Sequence, residues 1–327
     1  MKLADLEPSP DAFAAVMATG ILSVAADKLH FRWTSEAFDI VACFGLVVLI
    51  GLVVVTRAPR RWDLKDPDVT LRLFTFVAAC AVLDNRMAAI GAVLASLSAV
   101  VLVSWTVLAV LTARNMSGES WTALRDRARG VWELGSVGTS ALVIVAAQVA
   151  AHTSEHWWWV GALAVWIVGL AVYGLMTWLI LRRAAAEGTG GFQPDSWILM
   201  GGLAIAAVAG DKLHGLAAPW LRPVVQAVTV LTWAAATLWI PPLIYLVLRS
   251  LIRRPALRRF AGVWWAMVFP LGMYSVATTA VAGEIGRPEL HIVALAFFWI
   301  AAATWLVMVL AGLQQAGTVV RADRGGG

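Results

Sequence analysis

Apolar runs long enough to cross a bilayer recur from one end of this chain to the other and leave little else. Runs at 37–56, 88–113, 157–181, 221–248 and 291–313 reach the roughly 20 residues a helix needs to traverse about 30 Å of hydrocarbon. Shorter apolar segments alternate with them at about 12–26, 69–83, 131–150, 196–210 and 260–282. Backbone N–H and C=O groups in hydrocarbon must be paired within the segment, so each run has to be a helix. The expected fold is an all-α integral membrane protein of ten transmembrane helices. Mean hydropathy is +0.79 and only 14% of residues are charged, far from a soluble composition. No connection is long enough to hold a separate core. Residues 1–327 therefore read as one transmembrane domain, with an N-terminal tail at 1–10 and a C-terminal tail at about 315–327.

Six residues occur nearly verbatim twice. Ala25-Ala26-Asp27-Lys28-Leu29-His30 returns 184 residues later as Ala209-Gly210-Asp211-Lys212-Leu213-His214, and Ile21/Ile205 and Val24/Val208 match upstream. Internal repeats are the usual way to build a transport path from equivalent membrane hairpins. Odd and even spans also differ in kind. The even ones are long and rich in Leu, Val and Trp, whereas the odd ones are short and carry Thr19-Gly20, Ala78-Ala79-Cys80, Gly135 to Ser140, Gly201-Gly202 and Gly272. Small residues let helices approach closely or leave a lumen open. Five hairpins follow, each with an inner odd helix and an outer even helix, and an offset of 184 residues over three hairpins agrees with that division.

Basic residues fix the orientation. Nineteen of the 25 Lys and Arg fall at the termini and in loops after even spans, among them Arg60, Arg61, Arg127, Arg182 and Arg183. Six (Lys28, Arg32, Arg86, Lys212, Arg222 and Arg287) fall in the loops after odd spans. The positive-inside rule then places both termini in the cytoplasm of a multi-pass inner or plasma membrane protein. Met1 to Asp11 lacks the basic stretch of a cleaved signal peptide. Cys43 and Cys80 lie inside apolar spans and read as packing residues.

Chemistry concentrates on the odd spans. Asp27, Asp84, Asp211 and Glu284 sit at or just past their outer ends, either as interfacial pairs with Lys28, Arg86, Lys212 and Arg287 or as a ring facing the path. In the ninth span Pro270 cannot donate to the carbonyl of Ala266, so a bend is expected there with Phe269 at it. Gly272, Val276 and Thr279 share roughly its face and are pore-lining candidates with it. The expected lumen offers hydroxyls at Thr19, Ser23, Thr75, Ser136, Thr139 and Thr279 beside Gly20 and Gly201 as weak, exchangeable ligands, with no acid placed at mid-membrane and Glu133, at the cytoplasmic end after Arg125, Arg127 and Arg129, the nearest to an exception. Such a wall suits a small anion, which a buried carboxylate would repel. His152 and His156 lie four apart beside Glu155 without a third ligand in sequence, so no metal is expected. No phosphate loop, nucleophile elbow or dinucleotide glycine pattern occurs, and neither a catalytic residue, a cofactor nor a nucleic-acid partner is expected.

The stretch Trp264-Trp265-Ala266-Met267-Val268-Phe269-Pro270-Leu271-Gly272-Met273-Tyr274-Ser275-Val276-Ala277-Thr278 resembles the ninth helix of the tellurite-resistance/dicarboxylate transporter family, which includes the slow anion channels of plant guard cells. Phe13 to Gly20 resembles that family's first helix, Phe74 to Ala78 its third, Trp197 to Gly201 with Ala204-Ile205 its seventh, and Trp239-Ile240-Pro241 its eighth. The resemblance implies one pore per protomer lined by inner helices, a homotrimer, and a pore-plugging Phe, a role that falls on Phe269. It also implies transport of a C4-dicarboxylate, another organic acid, or a small inorganic anion such as chloride, sulfite or tellurite. A proton-coupled organic-acid symporter and, more remotely, an intramembrane enzyme are the alternatives.

The topology is testable with single cysteines in a chain whose Cys43 and Cys80 are replaced by Ala. Ser154→Cys should react with an impermeant thiol reagent applied from outside, and Ser117→Cys should not. The reverse labelling pattern would contradict the assigned orientation.

Overall fold

The computed structural model describes residues 8–86, 91–153, 156–187, 194–253 and 264–325. Ser154, Glu155, Arg254, Arg258 and Arg259 lie outside them. Among the described residues the chain is helical, with no strand. Its α-helices are α1 (Ala14–Lys28), α2 (Arg32–Thr56), α3 (Pro67–Arg72), α4 (Phe74–Arg86), α5 (Gly91–Ser117), α6 (Trp121–Arg127), α7 (Leu134–Thr153), α8 (His156–Glu187), α9 (Ile198–Leu216), α10 (Arg222–Arg253), α11 (Trp265–Glu284) and α12 (Leu290–Gly325). Short 3-10 turns at Gly130–Glu133 and Pro194–Trp197 lead into α7 and α9.

Among the described residues, eight of these helices are long and apolar enough to cross a membrane, rather than ten. The shortfall is α1 and α4, which have 15 and 13 residues. At 1.5 Å per residue they cover only about 20 Å each. The segment expected at 69–83 is divided because the chain first forms α3, started by Pro67 and by an Asp66 side chain that accepts from the Asp68 N–H. The chain turns at Leu73 before α4 begins. At the other end α12 stays helical to Gly325, so the tail expected from about 315 begins as helix.

The helices fall into two classes by burial. In the spanning windows of α7, α9 and α11, 72–89% of residues are buried, against 11–28% for α2, α5, α8, α10 and α12. Helices α1 and α4 belong with the buried class. The second class exposes large apolar side chains such as Phe44 (70%), Leu238 (76%) and Ile292 (74%). In water such a surface would aggregate, whereas lipid tails are its natural solvent.

The buried helices close on themselves. Helix α1 packs on α4, α4 on α7, α7 on α9, α9 on α11, and α11 back on α1. Each also packs on the exposed helix that follows it, and that helix touches the next buried one in turn.

Every seam of the ring has a glycine where a side chain would collide with the neighbour or crowd it. A Cβ on Gly20 would lie 2.8 Å from Val82 Cγ1, and one on Gly201 2.9 Å from Pro270 Cγ. One on Gly272 would lie 2.9 Å from Ile21 Cγ2, and one on Gly202 3.2 Å from Ser136 Oγ. At the fifth seam a Cβ on Gly138 would run into the Phe74 ring.

A methyl group at that last position must displace a packed ring, which costs about 1–3 kcal/mol in a tight core. Gly138→Ala should therefore lower Tm in detergent. Gly161→Ala, where nothing lies within 4 Å of the new Cβ, should not. Equal melting temperatures for the two variants would contradict the glycine-set seam.

Candidate functional site

Two cavities lie inside the ring, end to end. The first, about 40 Å³, is at the N-terminal ends of the buried helices and takes Met17 from α1, Thr75 from α4, Leu134 from α7, Ile198 from α9 and Phe269 from α11. The second, about 50 Å³, is at their C-terminal ends and takes Val24, Val82, Ile144, Val208 and Val276 from the same five helices. One helical turn separates Met17 from Ile21 and Phe269 from Met273, the residues by which α1 and α11 border the first and the second cavity. On α4, α7 and α9 six or seven residues separate the two linings (Thr75 and Ala81, Leu134 and Ala141, Ile198 and Ile205), and Phe269, fully buried, borders the first cavity on the side of the second. A water needs about 10–15 Å³ of such space, so each cavity suits a few waters or one small ion.

Charge collects at the two mouths. At the first, Arg72 donates to Asp11 at 3.0 Å, and Asp195 borders the same cavity while accepting from the Val131 N–H at 3.2 Å. Five helix N-termini add partial positive charge on this side. Further out on the same side, Arg127 pairs with Asp66 and Asp68, and Trp132 Nε1 donates to Asp68. Partial burial opposes the Arg127 guanidinium, but Asp66, Asp68 and Glu119 outweigh it and raise its pKa. At the second mouth Lys28, Asp211 and Lys212 border the cavity. Between the mouths, the side chains bordering the second cavity are those of Ala, Val, Ile and Met.

The expected hydroxyl lining is distributed differently. Thr75 borders the first cavity, with its hydroxyl donating to the Arg72 carbonyl at 2.8 Å. Thr19 accepts from Trp305 Nε1 of α12 at 2.8 Å, and Thr139 from Trp105 Nε1 of α5 at 3.1 Å. Thr278 likewise accepts from Trp233 Nε1 of α10 at 3.0 Å. Ser23 donates to the Ser35 carbonyl of α2 at 2.9 Å. Ser136 donates at 2.9 Å to Glu133, a fully buried carboxylate that also accepts from Thr177 of α8 at 2.6 Å. Thr279 donates to the Ser275 carbonyl at 3.0 Å and borders neither cavity. These groups tie inner helices to outer ones or to themselves. Gly20, Gly201 and Gly272 lie in the seams, and Pro270 packs its ring against Gly201 within a continuous α11.

The acids at the helix ends also separate. Asp211 borders the second cavity. Glu284 lies 3.6 Å from His214 Nδ1, and Asp27 is exposed at the end of α1. Asp84 is fully buried and turns outward to accept from Ser98 of α5 at 3.2 and 3.3 Å. His152 Nδ1 is bound to the Gln148 carbonyl at 2.8 Å, and no cluster of three metal-binding side chains exists among the described residues.

Of the residues bordering the cavities, the sequence pointed to Thr75, Phe269 and Val276 but not to Arg72, Asp195 or the rest of the Val and Ile wall. One signal for that wall was present, because Ile21, Val24, Ile205 and Val208 are the upstream matches of the repeat and all four border the second cavity.

A family profile described as SLAC1, voltage-dependent anion channel, matches residues 8–313. Uncharacterised membrane proteins of Mycobacterium tuberculosis, from strains CDC 1551 and H37Rv, are each 31% identical to this chain over 137 residues. Those alignments cover 40% of this chain and 69% of each relative.

The Trp-to-Thr bonds between the two layers can be tested directly. Thr139→Val leaves the Trp105 N–H without its acceptor at nearly constant volume, a loss on the order of 1 kcal/mol. Its Tm should fall, and Thr106→Val, at an exposed hydroxyl that bonds only its own helix at 2.7 Å, should leave Tm in place. Equal stability of the two would remove the interlayer role.

Proposed function

The chain belongs to the SLAC1 family of voltage-dependent anion channels, and from that premise we propose that it passes small anions across the membrane through the lumen of its buried ring. In this reading α1, α4, α7, α9 and α11 are inner spans, and each forms a hairpin with the outer span that follows. Both termini are cytoplasmic in a plasma or inner membrane, and the working unit is a homotrimer. The shortness of α1 and α4 fits inner spans, because helices sheltered by other helices need not match the full hydrocarbon thickness.

The observation that carries the proposal is the place of Phe269. It borders the first of two separate cavities, each bordered by all five buried helices, one helical turn before Met273 of the second. An aromatic ring there blocks the path by volume alone and can leave it by rotation. Among the substrates the resemblance allows, chloride and small oxyanions fit cavities of about 40–50 Å³ more readily than a C4-dicarboxylate. Proton-coupled symport needs a titratable group beside the path, and Asp195 and Asp211 occupy the two mouths where one would act. A pH gradient across the vesicle distinguishes that mechanism from passive conduction.

An aromatic ring leaves its well at a cost on the order of 1 kcal/mol where the space around it is open. Phe269→Ala in proteoliposomes should therefore raise chloride efflux at least about fivefold. A ring that serves packing alone predicts the opposite, a lower Tm with unchanged or reduced efflux. That result would remove Phe269 as the gate.

A further inference from the structure

We infer that the mouth at the C-terminal ends of the buried helices holds a binding site for one monovalent anion, made by Lys28 and Lys212. The inference rests on the anion-conducting reading above and adds a specific capture site and charge preference to it.

The repeat builds the site. Ile21, Val24 and Lys28 lie at positions i, i+3 and i+7 of α1, one face of a helix. Ile205, Val208 and Lys212 lie at the same positions of α9, and all six residues border the second cavity. Helices α1 and α9 both pack on α11, so the two lysines come to the mouth from either side of it. Each is within Coulomb reach of the other.

Two ammonium groups held near each other repel, and this mouth supplies a reason to hold them there. Five helix C-termini direct partial negative charge toward it, which on its own would turn an anion away. The lysines reverse that field at the entrance to a narrow space.

The charge count selects the ligand. Asp211 borders the same cavity and lies within Coulomb reach of Lys28, leaving two ammonium groups against one carboxylate. Counted over the groups that border the cavity, the net charge of +1 matches a monoanion. The other acids at this end do not border the cavity: Glu284 lies beside His214 and within Coulomb reach of Asp211, Asp84 faces Ser98, and Asp27 is exposed. Below the lysines the wall is Val, Ile, Ala and Met and offers no hydroxyl to replace hydration water. Anions that shed water readily, such as nitrate and iodide, should bind better than strongly hydrated sulfate or fluoride.

The test is 35Cl NMR line broadening by the protein in nanodiscs, with chloride efflux from proteoliposomes read on the same preparations. The wild-type chain should broaden the chloride line, and nitrate should reverse the broadening at a lower concentration than sulfate does. Lys28→Gln and Lys212→Gln should each weaken binding about tenfold, or 1.4 kcal/mol. Lys28→Arg and Lys212→Arg should keep it, and Asp211→Asn should tighten it. Unchanged broadening in the Lys28→Gln/Lys212→Gln double variant would overturn the site, as would sulfate competing better than nitrate. Lysines that merely cap helix ends predict a lower Tm with unaltered chloride binding, which also overturns it. Lysine-dependent binding without any efflux would uphold the site and count against conduction, whereas efflux indifferent to both lysines would do the reverse.

Discussion

Close approach of backbones at five glycine-bearing seams is the condition for everything else in this molecule. Lipid tails are as apolar as leucine, so helices in a bilayer gain little from burying apolar surface against each other. They associate through dense packing, and packing is densest where no side chain holds two backbones apart. Gly20, Gly138, Gly202, Gly201 and Gly272 occur once at each junction of the ring α1–α4–α7–α9–α11. A Cβ at any of them would press on a neighbouring helix, and at Gly201 the obstacle is the rigid ring of Pro270. The ring is tight as a result, and its interior is two small cavities instead of one wide channel.

That tightness decides where polar groups go. A hydroxyl in a narrow apolar lumen has few partners, whereas one aimed at the outer layer can accept from an indole N–H. Three buried helices use the second arrangement, pairing Thr19, Thr139 and Thr278 with Trp305, Trp105 and Trp233. The bonds fasten the outer layer to the ring. Charge then borders the two cavities at their ends, Arg72 and Asp195 at one and Lys28, Asp211 and Lys212 at the other. An ion that binds weakly in the middle and is attracted at the ends can both enter and leave, as conduction requires.

Much of this was legible in the sequence, for identifiable reasons. Gly, Ala, Ser and Thr in the odd segments set against Leu, Val and Trp in the even ones is the chemical difference between packing on protein and facing lipid. That contrast forecast which helices are buried. The family follows from motifs spread over nearly the whole chain, and the profile match at 8–313 agrees. The role of the glycines was not legible, because a small residue serves a seam and a lumen equally well until the neighbouring helix is placed. Nor was the direction of Thr19, whose partner Trp305 is 286 residues away. The lumen wall was hidden for a related reason, since Val and Ile facing a cavity look like Val and Ile in a core. The repeat carried that information in Ile21/Ile205 and Val24/Val208, and helical spacing from Phe269 carried it for Val276. The division of the second odd segment at Leu73 escaped because apolar periodicity runs straight through a short capped helix.

The central claim is that anions travel inside the ring and not along its lipid-facing outside. The most direct measurement uses single cysteines at Val276, which borders the second cavity, and at Leu238, which is 76% exposed on α10, with Cys43 and Cys80 replaced by Ala. Each protein is reconstituted and treated with a small sulfonate-bearing thiol reagent or its ammonium-bearing counterpart, and chloride efflux is recorded. The sulfonate at position 276 should suppress efflux more strongly than the ammonium group does. Modification at position 238 should change nothing. Efflux that responds at 238 and is indifferent at 276 would contradict it.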